Sequence, residues 1–374
     1  MQFSEIIGHH ETKRLLISSV QNQHVAHAQL FCGPEGSANL ALALAYATYL
    51  NCENKQPEDS CGVCAACSKI NKLVHPDLNF VMPVTTTKKE KDPLSQNFLP
   101  EWREFVLSNP YQPLNAWMQH IGAENKQGNI SKEESRQLAR LISLKAFEAD
   151  YKIIIIWLPE LMHPAAANAL LKNLEEPPAK TIFLLVANSL DKMLATILSR
   201  TQLVQVRPFT EQEVIQYLQQ QYNTEPDKAQ QIAQLAEGKL YVAGQLSTEL
   251  SSDYFSFFAN WMRNRYGQRF NTIVELSDEF QKLGRENQKN FLHYSLNLFR
   301  KVMLYGIDPS LVHYLPPAEL DFVSKFSKFV NETNAAALTE QLNQAHYHIE
   351  RNANPKMVFV DSSIQIAEYL HPLT

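Results

Sequence analysis

The sequence predicts an α/β domain built on a parallel sheet, followed by a small helical unit and a larger all-α region. Three observations carry this. Short apolar or β-branched runs recur at residues 28–32, 78–82, 152–157, 181–187 and 203–206, mostly without polar alternation, as strands covered on both faces read. Helical spacing fills the intervals, as in Ala167, Leu170, Leu171 and Leu174 at i, i+3, i+4 and i+7. Beyond Pro208 strand-like runs become rare and helical periodicity dominates, as in Leu292, Leu296, Phe299 and Met303.

Taken in order, the alternation of strand and helix over residues 1–207 describes one sheet-and-helix domain. A small helical unit fits 208–248. A helical bundle fits 249–374, from about Asp253 onward, with breaks at Gly306, Leu315-Pro316-Pro317 and Asn354-Pro355. A chain of 374 residues exceeds what one hydrophobic core usually holds, which agrees with three domains. Residues 85–128 interrupt the scheme: a charged stretch (KKEKD) is followed by Trp102 and Trp117 among prolines and asparagines. They read as an insertion, either a surface loop with a short helix or a dedicated binding element.

Composition narrows the function. With 45% hydrophobic and 20% charged residues the chain is ordinary globular protein. A formal charge of -5 gives no overall pull on nucleic acid, so DNA contact has to come from a local patch or from partner subunits. The longest apolar run, 40–47, is too short to span a bilayer, and MQFSEIIGHH has neither a basic nor an apolar leader region. The expectation is a cytoplasmic protein without a membrane partner.

The first strand runs into Cys32-Gly33-Pro34-Glu35-Gly36-Ser37-Ala38-Asn39-Leu40, where a phosphate-binding loop belongs. A working loop wraps phosphates with backbone N–H groups, reaches them with a Lys and holds magnesium with a Ser or Thr. Gly33 and Gly36 are kept, but Asn39 stands for the Lys and Leu40 for the hydroxyl. Asn carries no charge, and Leu cannot ligate a hard cation. On the glycines alone, a simple tight turn is an equal reading. The strand at 153–156 should end in an acidic pair for magnesium and water, and ends instead in Trp157-Leu158-Pro159-Glu160. Glu160, displaced and behind a proline, is the sole candidate base for a divergent but active ATPase.

Four of the five cysteines fall close together: Cys52, Cys61, Cys64 and Cys67. In a cytosolic chain this spacing asks for a metal. Four thiolates match tetrahedral Zn²⁺ and leave no open position, so the expected role is structural; an iron–sulfur cluster uses the same ligands. A zinc-dependent nucleic-acid-binding module is a further reading, though Lys69-Ile70-Asn71-Lys72 is too sparse to form a basic stripe. Cys32 stands apart as a small buried residue.

The stretch PAAANALLKNLEEPP (164–178), with TIFLLVANSLDKMLATILSRTQ (181–202) behind it, closely resembles the AAA+ clamp-loader family. The segment IERNANPKM (349–357) is also similar to that family. The resemblance implies an AAA+ P-loop sheet domain, a helical lid and a helical collar through which five subunits form a ring that loads a sliding clamp on primed DNA. It implies as partners ATPase subunits of tau or gamma type and a delta-like subunit, with ATP and magnesium turned over elsewhere than in this chain. It also implies a role for Arg200 in Ser199-Arg200-Thr201, as an arginine reaching into a neighbour's ATP site. Thr201 departs from the family's usual Cys, and Tyr241 stands where ATPase members carry a phosphate-sensing Arg. Independently of the resemblance, Arg200 is expected between two strands at a sheet end where ligands gather, and a guanidinium there can neutralise phosphate charge. Glu175 and Glu176 oppose the macrodipole at a helix C-terminus; a salt bridge to a partner and simple solvation are both open.

Overall fold

A computed structural model describes residues 1–124, 126–143, 145–249, 254–266, 270–312 and 315–370. The chain divides into two compact units, Met1–Gln245 and Leu246–Thr374. No helix among the described residues is long and apolar enough to cross a membrane.

The first unit opens with a 3-10 turn at Phe3–Glu5 and α1 (His10–Gln21). It continues through β1 (Ala28–Cys32), α2 (Asn39–Leu50), α3 (Ala65–Asn71), β2 (Leu78–Val81), α4 (Leu99–Ser108), α5 (Leu114–His120), α6 (Lys132–Ser143) and β3 (Lys152–Trp157). Then come α7 (Pro164–Glu175), β4 (Thr181–Ala187), α8 (Ala195–Leu198), β5 (Gln202–Gln205), α9 (Glu211–Tyr222), α10 (Pro226–Ala236) and α11 (Leu240–Glu249), the last crossing into the second unit.

The strands form one sheet in the order β2-β3-β4-β1-β5, every neighbouring pair parallel. The Ile153–Ile156 run and all of β4 are buried because helices cover both faces, which explains the missing alternation. Helix α2 is buried at all twelve positions, matching a sequence (NLALALAYATYL) that is apolar on every side. On α7 Ala167, Leu170 and Leu174 are buried and Leu171 packs on the same core, as their spacing predicts. Strand β5 begins and ends one residue earlier than expected, and its ladder with β1 closes on the Val206 N–H donating to Cys32 O.

The insertion needs a larger correction. Instead of a surface loop with a short helix, it contains α4 and α5, and both tryptophans have 0% exposure. Trp102 packs edge-on against Trp117 at 5.3 Å and lies 5.1 Å from Trp157 at the end of β3. Phe80 and Phe105 complete the cluster. Its prolines and asparagines suggested irregular chain, but the apolar positions Trp102, Phe105 and Val106 share one face of α4, and burying that face outweighs local turn propensity.

The second unit contains α12 (Tyr254–Tyr266), α13 (Phe270–Lys282), α14 (Arg285–Ile307), α15 (Pro317–Phe326), α16 (Glu332–Glu350) and α17 (Pro355–Leu370). Its core is aromatic: Phe258, Trp261, Phe280, Phe291, Phe299 and Phe359 are all buried. The expected breaks act as helix punctuation. Gly306 lies in the last turn of α14, Pro317 opens α15, and Asn354 Oδ1 accepts the Lys356 N–H (3.0 Å) to cap α17. The expected bundle limits at Asp253 and Thr374 lie outside the described residues.

Candidate nucleotide site, arginine loop and cysteine cluster

In a parallel sheet ligands gather at the C-terminal ends of the strands. The loop after β1 lies there, yet its parts are turned to other uses. Asn39, 5% exposed, points inward: its Nδ2 donates to Gly33 O at 2.6 Å and to Ala187 O at 3.2 Å, tying the loop to the end of β4. Leu40 is buried on α2. Gly33 is required because a Cβ there would sit 2.1 Å from Val206 O, and Gly36 (φ +84°) because the Lys239 side chain presses on it. Both glycines therefore have packing reasons that involve no phosphate.

At the end of β3, Trp157 is 5% exposed and belongs to the insertion's aromatic cluster. Leu158 takes a left-handed conformation (φ 55°) and turns the chain into a 3-10 turn at Pro159–Leu161. Glu160 Oε1 accepts the Asn188 N–H at 2.9 Å, so this carboxyl tethers the end of β4. Burial pushes it above the usual carboxylate range. The space left among Gly36, Ser37, Asn39, Trp157, Val186 and Asn188 is about 20 Å³, and Tyr111 of the insertion also lines it. That is room for about one water, not for a triphosphate. Burial likewise pushes the Cys32 thiol up, as suits a small core residue.

Arg200 lies between α8 and β5. The expectation that it shares the ligand-gathering sheet end is corrected: β5 runs parallel to β1 with Gln202 beside Gln29, so residues before β5 belong to the N-terminal edge. A five-residue strand puts roughly 15 Å between the two edges. Arg200 Nε and Nη2 both reach Glu175 Oε1, at 2.7 and 2.5 Å, and Nη1 donates to Thr196 O (2.9 Å) and Ser199 Oγ (3.1 Å). Thr201 Oγ1 donates to Ile197 O at 3.1 Å and stiffens the same turn. The Arg200 side chain is still 32% exposed and that of Glu175 50%. The open question about Glu175 is thus answered within the chain: α7 ends at the edge where β5 begins. Tyr241, in α11, accepts a hydrogen bond from Gln245 at 3.1 Å.

The structure brings Cys52, Cys61, Cys64 and Cys67 together, with all four Sγ atoms within 4.8 Å of one another. Tetrahedral Zn–S bonds of about 2.3 Å require S–S edges of about 3.8 Å, and Cys61 and Cys67 are 4.0 Å apart. Backbone N–H groups of Cys61, Cys64 and Cys67 point at the sulfurs of Cys52, Cys61 and Cys64, at 3.2, 3.3 and 3.4 Å, which favours thiolates. The Val63 and Cys64 N–H groups hold the Cys61 thiol down to about 6, while burial pushes Cys52 and Cys67 up. The donors therefore fit a metal ion closed on all four sides. The cluster is stitched to the N-terminus by Gln2 Nε2 donating to Ser60 O and by the Phe3 and Ser4 N–H groups donating to Asp59.

A five-stranded parallel sheet flanked by helices, with a Gly33–Gly36 loop after the interior strand β1, is the sheet domain of an AAA+ protein, here with Asn39 and Leu40 at the loop and Trp157 at the end of β3. The family described as "DNA polymerase III, delta subunit" matches residues 8–210, more than half of the chain. The chain belongs to this family, that of DNA polymerase III clamp-loader subunits of the AAA+ class. Among curated relatives, the DNA polymerase III subunit tau of Bacillus subtilis is 22% identical over 99% of this chain and 62% of its own length. The subunit delta' of Escherichia coli is 29% identical over 60% of this chain. The chain spans 55% of that relative's length. Among solved structures, a DNA polymerase III gamma subunit-related protein of Thermotoga maritima is similar over 96% of this chain and 100% of its own, at 12% identity and a TM-score of 0.40.

Proposed function

We propose that the chain acts as the non-hydrolysing, delta-prime-type subunit of a DNA polymerase III clamp loader and supplies Arg200 to the ATP site of a neighbouring ATPase subunit. The observation that carries this reading is the separation of Arg200 from the chain's own loop by the length of a strand, together with its partial exposure and fixed orientation. From that edge it cannot serve its own loop, whereas a guanidinium presented outward is suited to a phosphate brought by another subunit. An active-ATPase reading with Glu160 as base lacks support, since that carboxyl is bound to the Asn188 backbone and Asn39 stands where the lysine is needed.

The partners are tau- or gamma-like ATPase subunits and a delta-like subunit; through the complex the chain acts on the sliding clamp and primed DNA. Within the chain, residues 208–248 serve as the lid and 249–374 as the collar that joins the ring. The four cysteines hold Zn²⁺, which braces the N-terminal turn and α3 and takes no part in turnover.

The test is reconstitution of the loader with and without this chain, followed by clamp-stimulated ATPase. Arg200→Ala should leave assembly intact and lower turnover at the neighbouring site by about 10³ or more. Unchanged turnover would remove the proposed role of Arg200, and failure to join the complex would remove the subunit reading.

A further inference from the structure

The insertion does more than pack on the sheet. Its turn between α4 and α5, Asn109-Pro110-Tyr111-Gln112-Pro113, lies against the degenerate phosphate loop, where all but Asn109 line the remaining 20 Å³. The turn is rigidly built. The Tyr111 N–H donates to Asn109 Oδ1 at 2.9 Å, and Gln112 Nε2 reaches back to Phe105 O (2.9 Å) and Ser108 Oγ (3.1 Å). Behind it, α4 is anchored through Trp102 and Phe105 on Trp157, the residue that stands where a magnesium ligand belongs, and α5 joins through Trp117 on the same two rings.

Tyr111 also touches the elements that follow the sheet. Its ring meets Phe209 edge-on at 5.5 Å and Tyr217 of α9 edge-on at 6.1 Å. Phe209 is gripped on another side by His9, at 4.9 Å. From further along, the Lys239 side chain lies on Gly36 of the loop. Arg207 binds Glu213 through two bonds of 2.8 and 2.6 Å, and Glu213 fills the space over Gly8. Side chains of the chain itself thus span the gap between the phosphate loop and the helices that follow the sheet.

We propose that the 109–113 turn is a built-in wedge: Tyr111 takes the place of a nucleotide between the phosphate loop and α9, and fixes α9 on the sheet domain without any ligand. This rests on the non-hydrolysing reading and adds to it a subunit whose helices beyond the sheet do not respond to ATP. The wedge is assembled from the two losses, since Asn39 closes the loop from within and Trp157 seats the insertion.

Amide hydrogen exchange on the full chain tests this. In the wild type, exchange across 211–222 should be the same with and without millimolar Mg-ATP. Tyr111→Ala should raise exchange there about tenfold, with 152–157 and 181–187 unchanged, while Tyr111→Phe, which keeps the ring, should match the wild type. Tyr217→Ala removes the contact from the other side and should loosen 211–222 in the same way, so a Tyr111→Ala chain that failed to fold would not spare the proposal. ATP-dependent exchange in the wild type, or unaltered exchange at 211–222 in folded variants, would overturn the wedge. ATP turnover by the isolated chain would instead bring down the underlying non-hydrolysing reading; ATP-sensitive exchange without turnover would leave that reading standing and remove the wedge alone.

Discussion

At the C-terminal edge of the sheet, Asn39, Leu40 and Trp157 are buried, bonded inward or stacked, and the space between them has closed to about 20 Å³. At the N-terminal edge, Arg200 keeps a third of its side chain in solvent while Glu175, Thr196 and Ser199 hold the guanidinium in one orientation. The two edges follow opposite rules. One holds Leu40 and Trp157 in apolar packing and Asn39 in inward hydrogen bonds, which favours stability. The other retains a charged, oriented group whose interactions inside the chain are exposed and individually weak. On the proposed function, the closed edge serves as core and the outward-facing Arg200 is the group left for chemistry.

The comparison predicts that substitutions at the closed edge act on stability. The largest effect is expected for Trp102→Ala, which removes the centre of the cluster joining α4, α5 and Trp157. It should cost about 3–5 kcal/mol, read as a fall in the urea unfolding midpoint. A loss under about 1 kcal/mol would mean that the insertion is not part of the core. Asn39→Ala comes next: Gly33 O loses its side-chain donor and Ala187 O keeps only the Gly33 N–H at 3.4 Å, for about 1–3 kcal/mol by the same measurement. At the open edge Glu175→Gln should change stability by less than about 1 kcal/mol, because both partners are exposed. Its effect should fall on the reconstituted complex, as about a tenfold drop in ATPase from a guanidinium no longer held in place. A stability loss as large as that of Asn39→Ala would erase the distinction between the edges.

Much of this was legible in the sequence, for identifiable reasons. The strands at 28–32, 152–157 and 181–187 could be read because fully buried parallel strands are continuously apolar. The cysteine spacing announced a cluster because the ligands lie close in sequence, and Gly33 and Gly36 announced the turn that follows β1. What stayed hidden depends on contacts distant in sequence. Trp157 reads as the loss of an acid, and its partners Trp102 and Phe105 lie some fifty residues away in a stretch that looks like loop. Tyr111, between two prolines' reach, gives no periodic signal, although three tryptophans in one α/β domain hint at a second aromatic core. Glu175 and Arg200 meet only because the crossover through α8 returns the chain to the edge where β4 and β5 both begin. That same topology corrected the placement of Arg200, since a residue between two strands can belong to either end of the sheet.

The most direct test of this division sets the two edges against each other in one assay: single-turnover ATP hydrolysis by the reconstituted loader, with either Asn39→Ala or Arg200→Ala in this chain. The account predicts that Asn39→Ala leaves hydrolysis at the wild-type rate and Arg200→Ala abolishes it at the neighbouring site. Loss of hydrolysis with Asn39→Ala, or its persistence with Arg200→Ala, would contradict it.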